Sequence, residues 1–83
     1  MNQPIFIELT NARDARTKKF TIRADTINRM YRKEYCYNDG LQNCIVEHTV
    51  IKHGTGKEDL TAIVEETILD IMNLIKQKAD ESN

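Results

Sequence analysis

Leu60-Thr61-Ala62-Ile63-Val64-Glu65-Glu66-Thr67-Ile68-Leu69-Asp70-Ile71-Met72-Asn73-Leu74-Ile75 is the stretch on which the fold turns. It admits two readings. Leu60, Ile63, Val64, Ile68, Ile71 and Ile75 fall at helical spacing, and Thr55 followed by Glu58 has the form of a capping box, which gives one helix of about 20 residues. In the other reading Leu60–Val64 is a strand hairpinned to the strand before it, and the helix begins only at Thr67. There Thr67 and Asp70 repeat the capping pattern, with the threonine oxygen accepting from the first turn and the aspartate reaching back. Ile68, Ile71, Met72, Ile75 and Ala79 then supply the apolar stripe, and Lys76 and Lys78 suit the C-terminal dipole. Periodicity alone leaves both readings open.

Upstream, the strand signals are clearer. Ile5-Phe6-Ile7-Glu8-Leu9 is a short β-rich run ended by the turn formers Thr10-Asn11. Lys19-Phe20-Thr21-Ile22-Arg23 alternates strictly, with Phe20 and Ile22 on one side, as a half-buried strand does. Ala24-Asp25 interrupts it, and Thr26 to Tyr31 resumes it after a kink, so these two strands are expected to pair as a hairpin. Tyr35-Cys36-Tyr37-Asn38-Asp39-Gly40 holds the strongest turn signal, Asn-Asp-Gly. Asn43 to His53 is rich in β-branched residues and reads as a long strand, broken by Gly54-Thr55-Gly56-Lys57.

Phe20-x-Ile22-x-x-x-x-Ile27-x-x-Met30, the β-rich run to Ile51, the glycine turn and Ile63-Val64-Glu65-Glu66-Thr67-Ile68-x-x-Ile71-x-x-x-Ile75 together resemble the small FlbD/SwrD-type flagellar proteins. Short phage and bacterial proteins of unknown function share the layout. The resemblance implies that a strand passes straight into the C-terminal helix, with Val64-Glu65-Glu66-Thr67 at the junction, and it favours the strand reading of 60–64. It implies no enzymatic activity and no catalytic residues. The chain departs from the family's layout between Arg32 and Gln42, which reads as a longer connection carrying Cys36, with Cys44 just beyond it. The expected fold is therefore α+β: a small antiparallel sheet of three to four strands, in two β-hairpins, with one C-terminal amphipathic helix. Residues 1–79 form a single domain and residues 80–83 a polar tail.

Size and composition narrow the function classes. The chain has 83 residues, one domain's worth, and such a domain buries only about 60–65% of its unfolded surface, which makes self-association an expected aid to stability. No run approaches the roughly 18 apolar residues that cross a bilayer, and the N-terminus has neither a basic region nor a long apolar one, so no membrane contact is expected. Two cysteines are too few for a disulfide scaffold and read as reduced thiols in a cytoplasmic protein. The net charge of −1 conceals a polarity: eight basic residues against two acidic ones from Arg13 to Lys33, and seven acidic against two basic from Glu58 to Asn83. Such a chain can attract an acidic partner, or a second copy head to tail.

The motifs with a chemical pattern do not hold up. Cys36-x7-Cys44-x3-His48-x4-His53 lacks the paired ligands two to four residues apart that zinc knuckles present, and a strand would turn His53 away from Cys44 and His48. A cysteine–histidine nucleophile would need an oxyanion hole and an orienting group that the sequence does not mark. Glu65-Glu66 suits a helix N-terminus. Gly54-Thr55-Gly56-Lys57 lacks the first glycine and the final hydroxyl of a phosphate loop, and reads as a hairpin turn. No metal, cofactor or catalytic residue is expected.

What remains is a non-catalytic interaction or regulatory module, a phage or bacterial accessory protein acting through protein–protein contacts and self-association. Leu69 and Leu74, flanking the helix's stripe, are the candidate self-contact. The alternative is a nucleic-acid or nucleotide-ligand binder using the basic segment Arg13–Lys33, since cations meet phosphates and aromatic faces stack bases. Its candidate residues are Arg13, Arg16, Lys18, Lys19, Arg23, Arg29 and Arg32 with Tyr31 and Tyr35, and Tyr37 belongs to the same group of rings.

Overall fold

The computed structural model describes residues 4–13, 18–38 and 40–81. Five strands and one α-helix are present among them: β1 (Phe6–Thr10), β2 (Lys19–Arg23), β3 (Ile27–Asn38), β4 (Asn43–His53), β5 (Leu60–Val64) and α1 (Ile68–Glu81). All strand pairs are antiparallel, with β1 on β2 and a separate order β3-β4-β5. The α+β class and the C-terminal helix are as the sequence implies, and Leu60–Val64 is a strand.

Alternation decides what each strand buries. In β1, Ile7 and Leu9 point inward while Phe6 and Glu8 stay exposed; they oppose Ile22 and Phe20 of β2. A single 3-10 turn at Ala24–Thr26 then redirects the chain, held by the Thr26 hydroxyl donating to the Arg23 carbonyl at 2.7 Å. β3 therefore leaves β2 and pairs with β4. The two sheets meet at one seam: the Ala12 N–H donates to the Ile63 carbonyl and the Glu65 N–H to the Thr10 carbonyl, each at 2.9 Å. Ile7, Leu9, Ile22, Ile51, Val64 and Ile71 form the core, with Phe20, Met30, Leu74 and Ile75 packed against it.

Both capping-box patterns are real contacts, but they do different jobs. The Asp70 N–H donates to Thr67 Oγ1 at 3.1 Å and the Thr67 N–H to the Asp70 carboxylate at 3.3 Å, so this box starts α1. Thr55 donates to Glu58 Oε1 from its N–H at 3.2 Å and its hydroxyl at 2.9 Å, and this box closes the β4–β5 turn instead. Gly54 makes that turn possible: its φ is +131°, and a Cβ there would lie 2.8 Å from the Glu58 Cβ.

Three local expectations are corrected. Arg32–Asn38 is not a connection but the second half of β3, because the hairpin turn occupies only the residues around Gly40. The helix runs to Glu81, so Asp80 and Glu81 are helical rather than tail, and residues 82–83 lie outside the described set. Met72 is 56% exposed; Leu74 takes its place in the apolar stripe.

β5 pairs with β4 only from Thr49 to His53, so from Lys33↔His48 to Asn38↔Asn43 the β3–β4 hairpin carries no third strand among the described residues. This two-stranded arm is about 20 Å long at ~3.4 Å per residue. It accounts for the elongated 54 × 29 × 23 Å outline.

Candidate functional site

From Arg29 onward the register assigns every side chain of β3 and β4 to one of two faces. The face toward the core carries Met30, Arg32, Glu34 and Cys36 opposite Ile51, Thr49, Glu47 and Ile45. The outer face carries Arg29, Tyr31, Lys33, Tyr35 and Tyr37 opposite Lys52, Val50, His48, Val46 and Cys44. The carboxylates of the two strands, Glu34 and Glu47, both lie on the core-side face. The outer face is cationic and aromatic.

Cations and rings are in contact along it. The Arg29 guanidinium lies 4.9 Å from the centre of the Tyr31 ring and the Lys33 ammonium 5.5 Å from that of Tyr35. Arg13 reaches over from the β1–β2 connection to within 5.7 Å of the same Tyr35 ring. The His48 ring is 5.7 Å from Tyr35 and 6.4 Å from Tyr37, and the Tyr37 hydroxyl is 3.5 Å from His48 Nε2. Arg13 also borders a cleft of about 420 Å³ between β5 and Phe20, with Asn11, His53 and Thr61 on its walls.

On the opposite side a polar network ties the sheets together. Glu66 accepts from the Thr10 N–H at 2.9 and 3.0 Å and from the Thr10 hydroxyl at 2.8 Å, while Lys19 Nζ donates to that hydroxyl at 3.0 Å. Thr49, fully buried, donates to the Glu66 carbonyl at 2.6 Å and accepts from Arg32 Nη1 at 2.6 Å. Arg32 also donates to the Glu47 carboxylate at 2.7 Å. The network joins β1, β2, β3, β4 and the β5–α1 junction. This is the work of Glu66, which the sequence reading assigned to the helix dipole.

The basic segment therefore divides. Arg13, Arg29, Tyr31 and Tyr35 come together on the outer face. Lys19 and Arg32 are held in the network, and Arg23 pairs with Asp25 at 2.6 Å. Lys18 is exposed beside the seam, and Arg16 lies outside the described residues. Leu69 and Leu74 do not share a surface: Leu69 is 67% exposed, whereas Leu74 packs on the core. Sequence reasoning grouped Tyr37 with Tyr31 and Tyr35 but missed His48 and Lys52 as members of the face. The signal was present in Arg29-x-Tyr31-x-Lys33-x-Tyr35-x-Tyr37, a period of two that the turn reading of 35–40 cut in half.

Cys44 and His48 share the outer face, whereas Cys36 and His53 lie on the other. Both cysteines are free and exposed, and among the described residues no three His, Cys, Asp or Glu side chains converge as metal ligands. Among them, too, no helix is long and apolar enough to cross a membrane. Comparison with protein-family models, curated proteins and solved structures finds no match to this chain.

Proposed function

We propose that this chain is a non-catalytic interaction module whose working surface is the outer face of β3 and β4, and that its partner there is anionic. One observation carries the reading: alternation sorts Arg29 and Lys33, with three tyrosines and His48, onto a face that receives no carboxylate from either strand, while Lys52 on the same face is paired with Asp59 at 3.1 Å. The main core cluster lies on the other side of the sheet, and on this face Val50, opposite Tyr31, is the buried member while Arg29, Lys33 and Tyr37 are exposed. Exposed cations on such a face raise the local concentration of an anionic partner.

The layout of a strand, a glycine turn, a second strand and a capped helix also supports kinship with the FlbD/SwrD-type proteins, as a phage or bacterial accessory protein of the cytoplasm. Free, exposed Cys36 and Cys44 on opposite faces suit a reducing compartment. A second copy is the other candidate partner, favoured by the outer edge of β3, along which no strand lies among the described residues.

Sedimentation velocity of the wild type and of R29E/K33E, with and without dextran sulfate at low salt, tests both partners. The wild type is expected to co-sediment with the polyanion and the variant to lose it, with an unchanged unfolding midpoint. Equal co-sedimentation of the two would overturn the assignment of the face. A sedimentation coefficient that stays at the monomer value up to high protein concentration would remove the second copy.

A further inference from the structure

We infer that the anionic partner of this face is single-stranded nucleic acid, its bases stacked on Tyr31, Tyr35 and Tyr37 and its phosphates met by Arg13, Arg29 and Lys33. The inference rests on the interaction-module reading and specifies its ligand.

The geometry of the ladder carries it. Same-face neighbours on a strand are about 7 Å apart, so the rungs Arg29, Tyr31, Lys33, Tyr35 and Tyr37 span roughly 27 Å in a nearly regular alternation of cation and ring. In a duplex the bases stack at about 3.4 Å along the axis, half that repeat, and cover one another's faces. A strand with its bases stacked cannot match it, whereas a single strand with splayed bases can place a base on a ring and a phosphate by a cation in turn. The chemistry is sequence-tolerant, since every base has a face to stack. An acidic peptide would satisfy the cations but leave three rings without a counterpart.

In the free protein the cations occupy the ring faces: Arg29 over Tyr31, and Lys33 and Arg13 over Tyr35. Binding exchanges partners. A base takes the cation's place over the ring, and the cation turns to the adjoining phosphate. Arg32, Lys19 and Arg23 take no part, being engaged elsewhere.

The molecule supplies its own probe. It contains no tryptophan and three tyrosines, and all three stand on this face, so its intrinsic fluorescence reports on the site alone. The full chain is titrated with a single strand of about 12 nucleotides, within the usual site sizes for such platforms. The same-length duplex and poly-glutamate serve as comparisons. The single strand is expected to quench the tyrosines and to bind at least about tenfold more tightly than either comparison. The logarithm of its affinity should fall with that of salt at a slope near −2, as for about three phosphate contacts. Y35A and Y31A should each weaken binding roughly tenfold, while Y35F and Y31F retain it.

Equal binding of duplex and single strand, with Y35A silent, would reduce the face to a general polyanion surface and overturn the base-stacking claim. Preference for poly-glutamate would make the partner an acidic protein, overturning this inference and leaving the module reading intact. No binding of any polyanion at low salt would remove both.

Discussion

Ile51 and Ile45 lie six residues apart on the same strand and point to the same side of it, yet one is fully buried and the other is 67% exposed. The strand rule is identical at both positions. What differs is the third layer: at Ile51 the sheet has β5 beside it and the core beneath it, and at Ile45 it has neither. Pairing extends the hairpin past the core, and only the core sets which face needs to be apolar. The arm is thus free to display chemistry that the body could not accommodate.

The sharpest way to break this comparison is to truncate both isoleucines. I51A removes buried atoms and leaves a cavity, and is expected to cost about 2–5 kcal/mol, a large fraction of a small domain's stability. I45A removes atoms already in water and should fall within about 0.5 kcal/mol of the wild type. Urea unfolding followed by circular dichroism compares them. Similar losses in the two variants would mean that the arm is packed against something after all.

A second measurement sharpens it from the polar side. Arg32 joins Glu47 in the arm to Thr49 in the body, and Thr49 is in turn linked to Glu66. E66A leaves the Thr10 N–H and hydroxyl without their acceptor in a part-buried site, so a loss of about 1–3 kcal/mol is expected. E34A lies only two residues beyond Arg32 on the same face, but it is exposed, and it should change stability by less than about 0.5 kcal/mol. If E66A behaved like E34A, the network would be a surface feature and not part of the seam.

The same division explains what could be read from the sequence. Strands facing the core announce themselves: Phe20 and Ile22 alternate against Lys19, Thr21 and Arg23, and Ile7 and Leu9 flank Glu8 in an apolar run. The arm has no apolar side to announce, so Arg32–Asn38 looks like a connection even though it is well paired. Local chemistry is also degenerate. Thr55–Glu58 and Thr67–Asp70 are the same motif in sequence, but the first closes a turn with both Thr55 donors on the Glu58 carboxylate and the second opens a helix with the reciprocal pair of bonds. Only the pairing of Val64 and Ala62 with Thr49 and Ile51, a long-range fact, separates them. The candidate face was half legible for the same reason: its residue types stand out, but which of them share a side depends on β3 continuing through Tyr37.

The smallest expected effect lies at the other end of β4 from the arm, in the Thr55–Glu58 turn. Hydrogen bonds from the Thr55 hydroxyl and then from its N–H stabilise the ionised Glu58 carboxylate and lower its pKa, opposed by slight desolvation and helped a little by His53. A pKa lower folded than unfolded means that the contribution is present above the unfolded value near 4.5 and is lost as pH falls through the folded one. E58Q should therefore be slightly less stable than the wild type at neutral pH, and the two unfolding midpoints should converge as the solution is acidified below that value. Because the carboxylate is exposed, added salt should shrink the neutral-pH difference as well. A difference that persisted unchanged into acid would show that Glu58 acts through packing against Gly54 rather than through its charge, and the turn would then belong, like Ile51, to the packed half of the hairpin.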